Sequence, residues 1–282
     1  MKNTFIIIIS ILFILSGCSE KSCKPAEIRV VSYNLRYDNP RDSLNSWPYR
    51  KENVKAMFRY HDFDIVGTQE GLYNQLTDIC ELPEYTYFGG GRDDGKDAGE
   101  HSAIIYKKDR FQIIESGNFW LSETPEQPGL GWDATCCNRI CSWVKFKDLN
   151  TGKAFYFFNV HFDHQGVVAR RESAKLMVAK IKETVKDAPV VCTGDFNARP
   201  DSEPMQIMFD FLIDSRQTSK MPPYGPEGTF NGFRFDAPLN NRIDYILIND
   251  LFSVNKYAVL TDALEQRYPS DHMPVVADMI LK

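Results

Sequence analysis

The sequence lacks an apolar run long enough to cross a bilayer as a mature helix. The stretch from Phe5 to Leu15 falls well short of the ~20 residues that a span requires. It also lacks any pair of Cys-x-x-Cys knuckles, which argues against structural zinc. Basic residues are not in excess. The formal net charge is -5, so nonspecific binding of nucleic acid is not advertised, although a local basic groove stays open. No short-period repeat and no low-complexity stretch interrupts the 282 residues. The glycines Gly89-Gly90-Gly91 are not followed by the Gly-Lys-Ser/Thr ending of a phosphate-binding P-loop.

What is present begins with an address. Lys2, the apolar Phe5 to Leu15 and then Leu15-Ser16-Gly17-Cys18 resemble a bacterial lipoprotein signal. That resemblance implies cleavage of residues 1–17, lipid on Cys18 and a polar tether over 18–26. The chain is then expected to be exported and anchored in the cell envelope, with the outer membrane the expected site. Residues 27–282 read as one domain, because no linker interrupts them and 43% hydrophobic content suffices for one sizeable core. Beyond Cys18, an exported protein can form disulfides. Cys136 or Cys137 with Cys141 is a conceivable local pair, and Cys192 sits in an apolar strand as a small core residue.

Strand-like runs alternate irregularly with amphipathic ones. Strands are predicted at Ile28–Asn34, Asp64–Gln69, Tyr85–Phe88, Ser102–Tyr106, Phe111–Trp120, Ala188–Thr193, Arg242–Ile248, Ser253–Leu260 and Met273–Leu281. A hairpin is predicted over Ile140–Asp148 and Ala154–Val160. Helices are predicted at Arg50–Tyr60, Leu72–Cys80 and Val167–Val185. Mixed elements without strict alternation argue for a layered α/β domain.

The chemistry gathers at strand ends. Val190 to Asn197 reads as a buried strand delivering Asp195 and Asn197, two residues apart and therefore on one side of its exit. Ser270-Asp271-His272 precedes the last strand and offers a carboxylate beside an imidazole. Asn34, Gln69-Glu70, Asn159-Val160-His161 and Arg242-Ile243-Asp244-Tyr245 supply further polar strand ends. Any one of these is an ordinary way for a strand to meet water. Asp244 alone reads as a salt-bridge partner of Arg242, Asn34 as a turn cap and His161 as a satisfied histidine.

Together, in this order, they resemble the endonuclease/exonuclease/phosphatase superfamily over residues 27–282. The resemblance implies a four-layer α/β sandwich, with two mixed sheets face to face and helices outside, and divalent-metal-assisted hydrolysis of phosphoric esters by nuclease, phosphodiesterase or phosphatase. By that resemblance Glu70 is the principal ligand of Mg²⁺ or Mn²⁺, with Asn34 and Asp271 as ligands or water-mediated supports. Asp195 activates the attacking water and Asn197 serves the transition-state oxygen. Asp244 holds His272 in one tautomer, and His161 donates to a phosphate oxygen or the leaving group. Oxygen donors and few carboxylates suit such a hard cation.

The rim is the less specific part. Arg92 from the glycine loop, Trp132 and Arg139 from the long aromatic loop, and Asp163 and His164 after His161 are candidate substrate contacts, while Trp120 reads as packing. The expected partners are a phosphoester of unspecified type and the membrane through its lipid, and the chain is expected to be a monomer. Two other readings stay open. One is a glycoside hydrolase using Glu70 and Asp195 as a carboxylate pair, and the other a noncatalytic surface lipoprotein on the same fold.

Overall fold

Period-two alternation decides which side of each strand meets which layer. In β1 (Glu27–Asn34), Ile28 and Val30 enter the core between two sheets, whereas Val31 and Tyr33 enter a second core on the opposite face. The computed structural model describes residues 27–282. The expected signal segment, tether and lipid-bearing Cys18 lie outside the described residues.

The first sheet runs β11 (Phe252–Val259), β12 (Val275–Leu281), β1, β2 (Ile65–Gln69), β4 (Ile104–Lys107), β3 (Tyr85–Phe88). The second runs β5 (Phe111–Trp120), β6 (Ile140–Asp148), β7 (Ala154–His161), β8 (Val190–Asp195), β10 (Asp244–Ile248), β9 (Ile213–Asp214). Each sheet holds one parallel pair, β1 with β2 and β7 with β8, and antiparallel neighbours elsewhere. A parallel pair needs a crossover, and helices supply both. α1 (Trp47–His61) links β1 to β2, and α3 (Val167–Val185) links β7 to β8.

Helix α1 buries Trp47, Val54, Met57 and Phe58, the spacing of one helical face, and joins α2 (Tyr73–Ile79) over the first sheet. α3 buries Ala174, Met177 and Ile181 against the second sheet with α4 (Glu203–Phe209). Helix, sheet, sheet and helix make the expected four-layer α/β sandwich. Predicted strand and helix boundaries differ from the observed ones by up to three residues. Neither β9 nor α4 is predicted: two residues carry no periodic signal, and α4 has Pro204 at its start in a stretch read as loop.

Facing positions of the sheets change character along their length. At one end Ile28, Val30, Ile65, Phe155, Phe157, Val191, Ile246 and Ile248 form a continuous apolar core. Further along, Gln69 Nε2 donates to Asn159 Oδ1 at 2.8 Å, Thr193 Oγ1 donates to the same oxygen at 2.9 Å, and Asn159 Nδ2 donates to the Thr68 carbonyl at 2.7 Å. This polar layer ties the sheets together. It leaves no room at Gly67, where a Cβ would stand 2.0 Å from Thr193 Oγ1. The charged residues come next, at the open end.

Candidate active site

Strand register brings the polar ends to one place. Asn34 pairs with Gln69 across β1 and β2, His161 with Asp195 across β7 and β8, and Asp244 with Asp195 across β10 and β8. β10 runs antiparallel to β8, so its first residue lies beside the last residue of β8. The segment before β12 adds Asp271 and His272.

Asn34 bridges the sheets at this end. Its amide Nδ2 donates to Glu70 Oε1 at 3.1 Å and to Asp195 Oδ2 at 3.0 Å, while its Oδ1 accepts the Arg36 N–H at 2.9 Å. The amide nitrogen, not the oxygen, therefore faces the carboxylates, and Asn34 acts here as a clamp between them. Glu70 Oε2 accepts the Tyr37 N–H at 3.2 Å, and Arg36 stands 3.9 Å from both Glu70 and Asp271. Arg36, Glu70 and Asn197 all hold positive φ, at 53°, 62° and 47°. Such strain persists only where the surroundings over-determine it. Those surroundings include Arg50 of α1, whose guanidinium donates to the Leu35, Arg36 and Pro269 carbonyls and so fastens the exit of β1 to the segment carrying Asp271.

Asp195 is 1% exposed. Its Oδ1 accepts the Asn197 N–H at 2.9 Å, and its Oδ2 lies 3.5 Å from His161 Nε2 and 3.7 Å from His272 Nε2. Burial, with the charge of Asp244 beside it, pushes the Asp195 carboxyl up to about 7. Asp244 Oδ2 meets His272 Nδ1 at 2.9 Å and accepts the Thr229 hydroxyl at 2.5 Å. Burial alone would lower His272, but Asp244 and Asp195 outweigh it and hold the imidazole well above its ordinary range. His161 goes the other way. Burial, then Arg139 and Arg92, push it well below, and its Nε2 lies 3.1 Å from Asn197 Nδ2. Arg242 does not compete for Asp244, because it pairs with Asp214, its Nη2 donating to Oδ1 at 2.7 Å and lying 2.7 Å from Oδ2.

Arg36, Glu70, His161, Asp195, Asn197, Asp271 and His272 line a cavity of about 740 Å³, while Asn34 and Asp244 bond to lining residues without lining it themselves. Arg92, Arg139 and His164 line it, as the sequence suggests, but Trp132 and Asp163 do not. Trp132 is half-buried away from the cavity lining, and its backbone N–H donates to Glu123 Oε2 at 3.0 Å. Asp163 turns inward. It accepts the Gly166 and Gln165 N–H groups at 2.6 and 2.9 Å and lies 3.5 Å from Arg139 Nε, contacts that keep its carboxyl low despite burial. Trp120 packs as expected, and its indole N–H donates to the Arg92 carbonyl at 2.7 Å. Cys192 is a free, buried core residue as expected, but the pairing differs from expectation. Cys136 pairs with its neighbour Cys137, and Cys141 is free and buried.

Two groups of possible cation ligands share this cavity. Asp195, Asp244 and His272 bring ligand-type atoms within 4.8 Å of one another. Asp244 is already bonded to His272, Asp195 accepts from Asn34 and Asn197, and an imidazole held protonated repels a cation. Glu70 and Asp271 offer carboxylate oxygens to the cavity itself, which suits a hard divalent ion. The donor set fits such an ion on a second ground. Asp271 is raised by burial and by the charge of Glu70, and Glu100 is pushed to about 7 by burial and again by Glu70. A divalent cation among these carboxylates relieves that repulsion.

The sequence model described as "Endonuclease/Exonuclease/phosphatase family" matches residues 31–272. The chain belongs to this family. Solved structures agree in fold and in sequence. A family protein from Bacteroides thetaiotaomicron is 46% identical, with TM-score 0.88 over 92% of this chain and 96% of its own. A mannosyl-6-phosphatase from Bacteroides thetaiotaomicron VPI-5482 is also 46% identical, with TM-score 0.86 over 90% of this chain and 99% of its own. A family protein from Bacteroides vulgatus is 42% identical, with TM-score 0.87 over 91% of this chain and 100% of its own.

Within this family site, sequence reasoning missed Arg36, Glu100 and the cysteine pair. Arg36 lies two residues past Asn34, the same spacing that singled out Asn197 after Asp195, and was legible on that ground. Glu100 carried no such signal. It follows a glycine loop, and only the fold brings its Oε2 to 2.5 Å from Arg92 and 4.0 Å from His161.

Proposed function

We propose that the chain is a phosphoester hydrolase dependent on Mg²⁺ or Mn²⁺, exported and lipid-anchored, that removes phosphate from a compact phosphomonoester of the sugar-phosphate class. The observation that carries this reading is the cavity wall itself, where four carboxylates (Glu70, Glu100, Asp195, Asp271) face three guanidinium groups (Arg36, Arg92, Arg139). Carboxylates suit a cation and guanidinium groups suit a phosphate dianion. Identity of 46% to a mannosyl-6-phosphatase supports the monoester and the sugar. Export and anchoring rest on Leu15 to Cys18.

Glu70 and Asp271 would hold the cation, with Asn34 fixing Glu70. When bound, the cation polarises the phosphoryl oxygens and offsets charge on the departing alkoxide. Asp195 orients the attacking water and takes its proton. Its raised carboxyl makes it a stronger base than an exposed aspartate. Asn197 donates to a phosphoryl oxygen. His272, kept protonated by Asp244, presents positive charge to the phosphoryl group where charge develops. His161, kept neutral, presents one N–H to a phosphate oxygen or the leaving group. Arg92 and Arg139 bind the phosphate charges before the reaction.

The test is hydrolysis of mannose 6-phosphate, p-nitrophenyl phosphate and bis-p-nitrophenyl phosphate with Mg²⁺, Mn²⁺ or EDTA. Turnover of the monoesters, lost in EDTA and restored by either metal, is expected. Full activity in EDTA would sink the metal dependence, and preference for the diester would sink the monoester assignment.

A further inference from the structure

The Cys136–Cys137 disulfide lies on the cavity wall, and no step above uses it. We infer that it is a substrate-recognition element, a rigid apolar platform against which the carbon skeleton of the sugar packs. This rests on the sugar-phosphate reading.

A disulfide normally stabilises a fold by closing a loop in the unfolded chain. Between adjacent residues there is no loop to close, so that benefit vanishes and its place needs another reason. Chemically, the bond joins two short side chains into a small ring that includes their peptide group. It replaces two weakly polar, rotating thiols with a fixed, polarisable, apolar surface. Such a surface loses no side-chain freedom when a ligand settles on it.

The flanks of the pair are tied down. Asp133 Oδ1 and Oδ2 accept the Ala169 and Val168 N–H groups at 2.6 and 3.0 Å, at the start of α3. Thr135 Oγ1 donates to Gln165 Oε1 at 2.6 Å, and the Arg139 carbonyl accepts the Leu121 N–H at 2.8 Å. The platform is therefore held from both sides.

A second observation points to a ligand. Arg139, two residues beyond the pair, is 5% exposed and lines the same cavity, yet its Nη1 has no partner among the described residues. Its Nη2 is engaged by His164 at 2.8 Å and its Nε by Asp163. An unmet buried guanidinium N–H calls for an anion. One short segment thus offers an anion contact and an apolar surface side by side, matching a ligand with a phosphate at one end and a ring at the other. Phe230, which lines the same cavity with its ring edge-on to His272 at 5.0 Å, supplies another apolar surface.

The experiment has two arms. In the first, the doubly substituted Cys136→Ser, Cys137→Ser protein is compared with wild type. KM for mannose 6-phosphate should rise about tenfold, kcat should stay within about twofold, and the inhibition constant of inorganic phosphate should not move. In the second, the slowly turning over Asp195→Asn protein with Mg²⁺ and excess ligand is treated with a phosphine reductant, and the freed thiols are trapped by alkylation and counted by mass spectrometry. Mannose 6-phosphate should slow reduction saturably, and inorganic phosphate should not. An unchanged KM with the disulfide verified in wild type overturns the platform, as does equal protection by phosphate and sugar phosphate. Failure of the underlying reading shows separately, as a wild type that hydrolyses other phosphoesters but no sugar phosphate. In that case absence of protection by a panel of monosaccharide phosphates overturns the platform too.

Discussion

Along β7, Phe155 and Phe157 pack between the sheets, while Asn159 and His161 occupy the same face further on. β8 repeats the change with Val191, then Thr193 and Asp195, and β1 with Ile28 and Val30, then Ser32 and Asn34. The apolar end is held by area removed from water, which tolerates small shifts and resists loss of volume. The polar end is held by hydrogen bonds at fixed atoms, and it keeps several groups in states they would otherwise leave. Asp195 and Glu100 are pushed to about 7, and Glu70 and Asn197 hold positive φ. A strained site needs a stiff support, so the two ends should respond to substitution in opposite ways.

The largest effect belongs to Asp195→Asn. Activity should fall by roughly 10²–10⁴-fold, the usual share of a general base, yet stability should rise at neutral pH and above. The sign follows from linkage. The folded carboxyl sits at about 7 against the 3.8 of an ordinary aspartate, so the native state binds this proton more tightly than the unfolded chain. The associated stability is fully present below 3.8 and is lost as pH rises towards 7. In EDTA, the melting temperature of Asp195→Asn relative to wild type should climb across that window and then level off. A gap independent of pH would show that Asp195 is not strained by its burial.

At the apolar end the opposite is expected of Phe157→Ala. Its side chain is fully buried, and its removal should cost about 3–5 kcal/mol in urea unfolding. kcat/KM, measured well below the melting transition, should change less than about twofold. A proportionate loss of activity would mean that the floor and the mouth are not separable.

Gly67→Ala strikes the layer between the two ends. A Cβ there meets Thr193 Oγ1 at 2.0 Å and Asn159 Oδ1 at 2.5 Å, so the sheets must part or the polar layer must break. Overpacking of this kind costs about 1–3 kcal/mol. Asp195 lies two residues beyond Thr193, so activity should fall together with stability, unlike either variant above. Thermal melts and kcat on one preparation make the check.

The same division explains what was legible in the sequence. Apolar alternation sets the strands, and the polar end of each strand announces itself as a break in that alternation. Asn34, Glu70, His161, Asp195, Asp244 and His272 could therefore be named, and the fold brings them together. Groups placed by loops gave no such break. Glu100 reaches the cavity through the turn after Gly99, and Asp163 was drawn away by the N–H groups of Gln165 and Gly166. Trp132 shows the limit of reading a loop by composition, since an aromatic in a long loop can be half-buried elsewhere than at the cavity. The pairing of Cys136 with Cys137 escaped because spacing favours partners that can close a turn, and adjacent residues close none.

The smallest predicted effect tests how far the polar end depends on its outer hydrogen bonds. Thr229 does not itself line the cavity, yet its hydroxyl donates to Asp244 Oδ2 at 2.5 Å and accepts the Ile243 and Asp244 N–H groups, both at 3.1 Å. Thr229→Val keeps the shape and removes these bonds, which should cost about 1–3 kcal/mol because the partners stay buried. Asp244 would then have one fewer donor and lean more on His272, which is already held protonated by that carboxylate. Turnover should drop only a few-fold, and the alkaline limb of the kcat profile should move to higher pH, as His272 keeps its proton longer. A shift to lower pH would mean that Thr229 orients Asp244 towards the imidazole and does not compete with it. The distinction matters because only orientation would make Thr229 a positioning residue for the reaction.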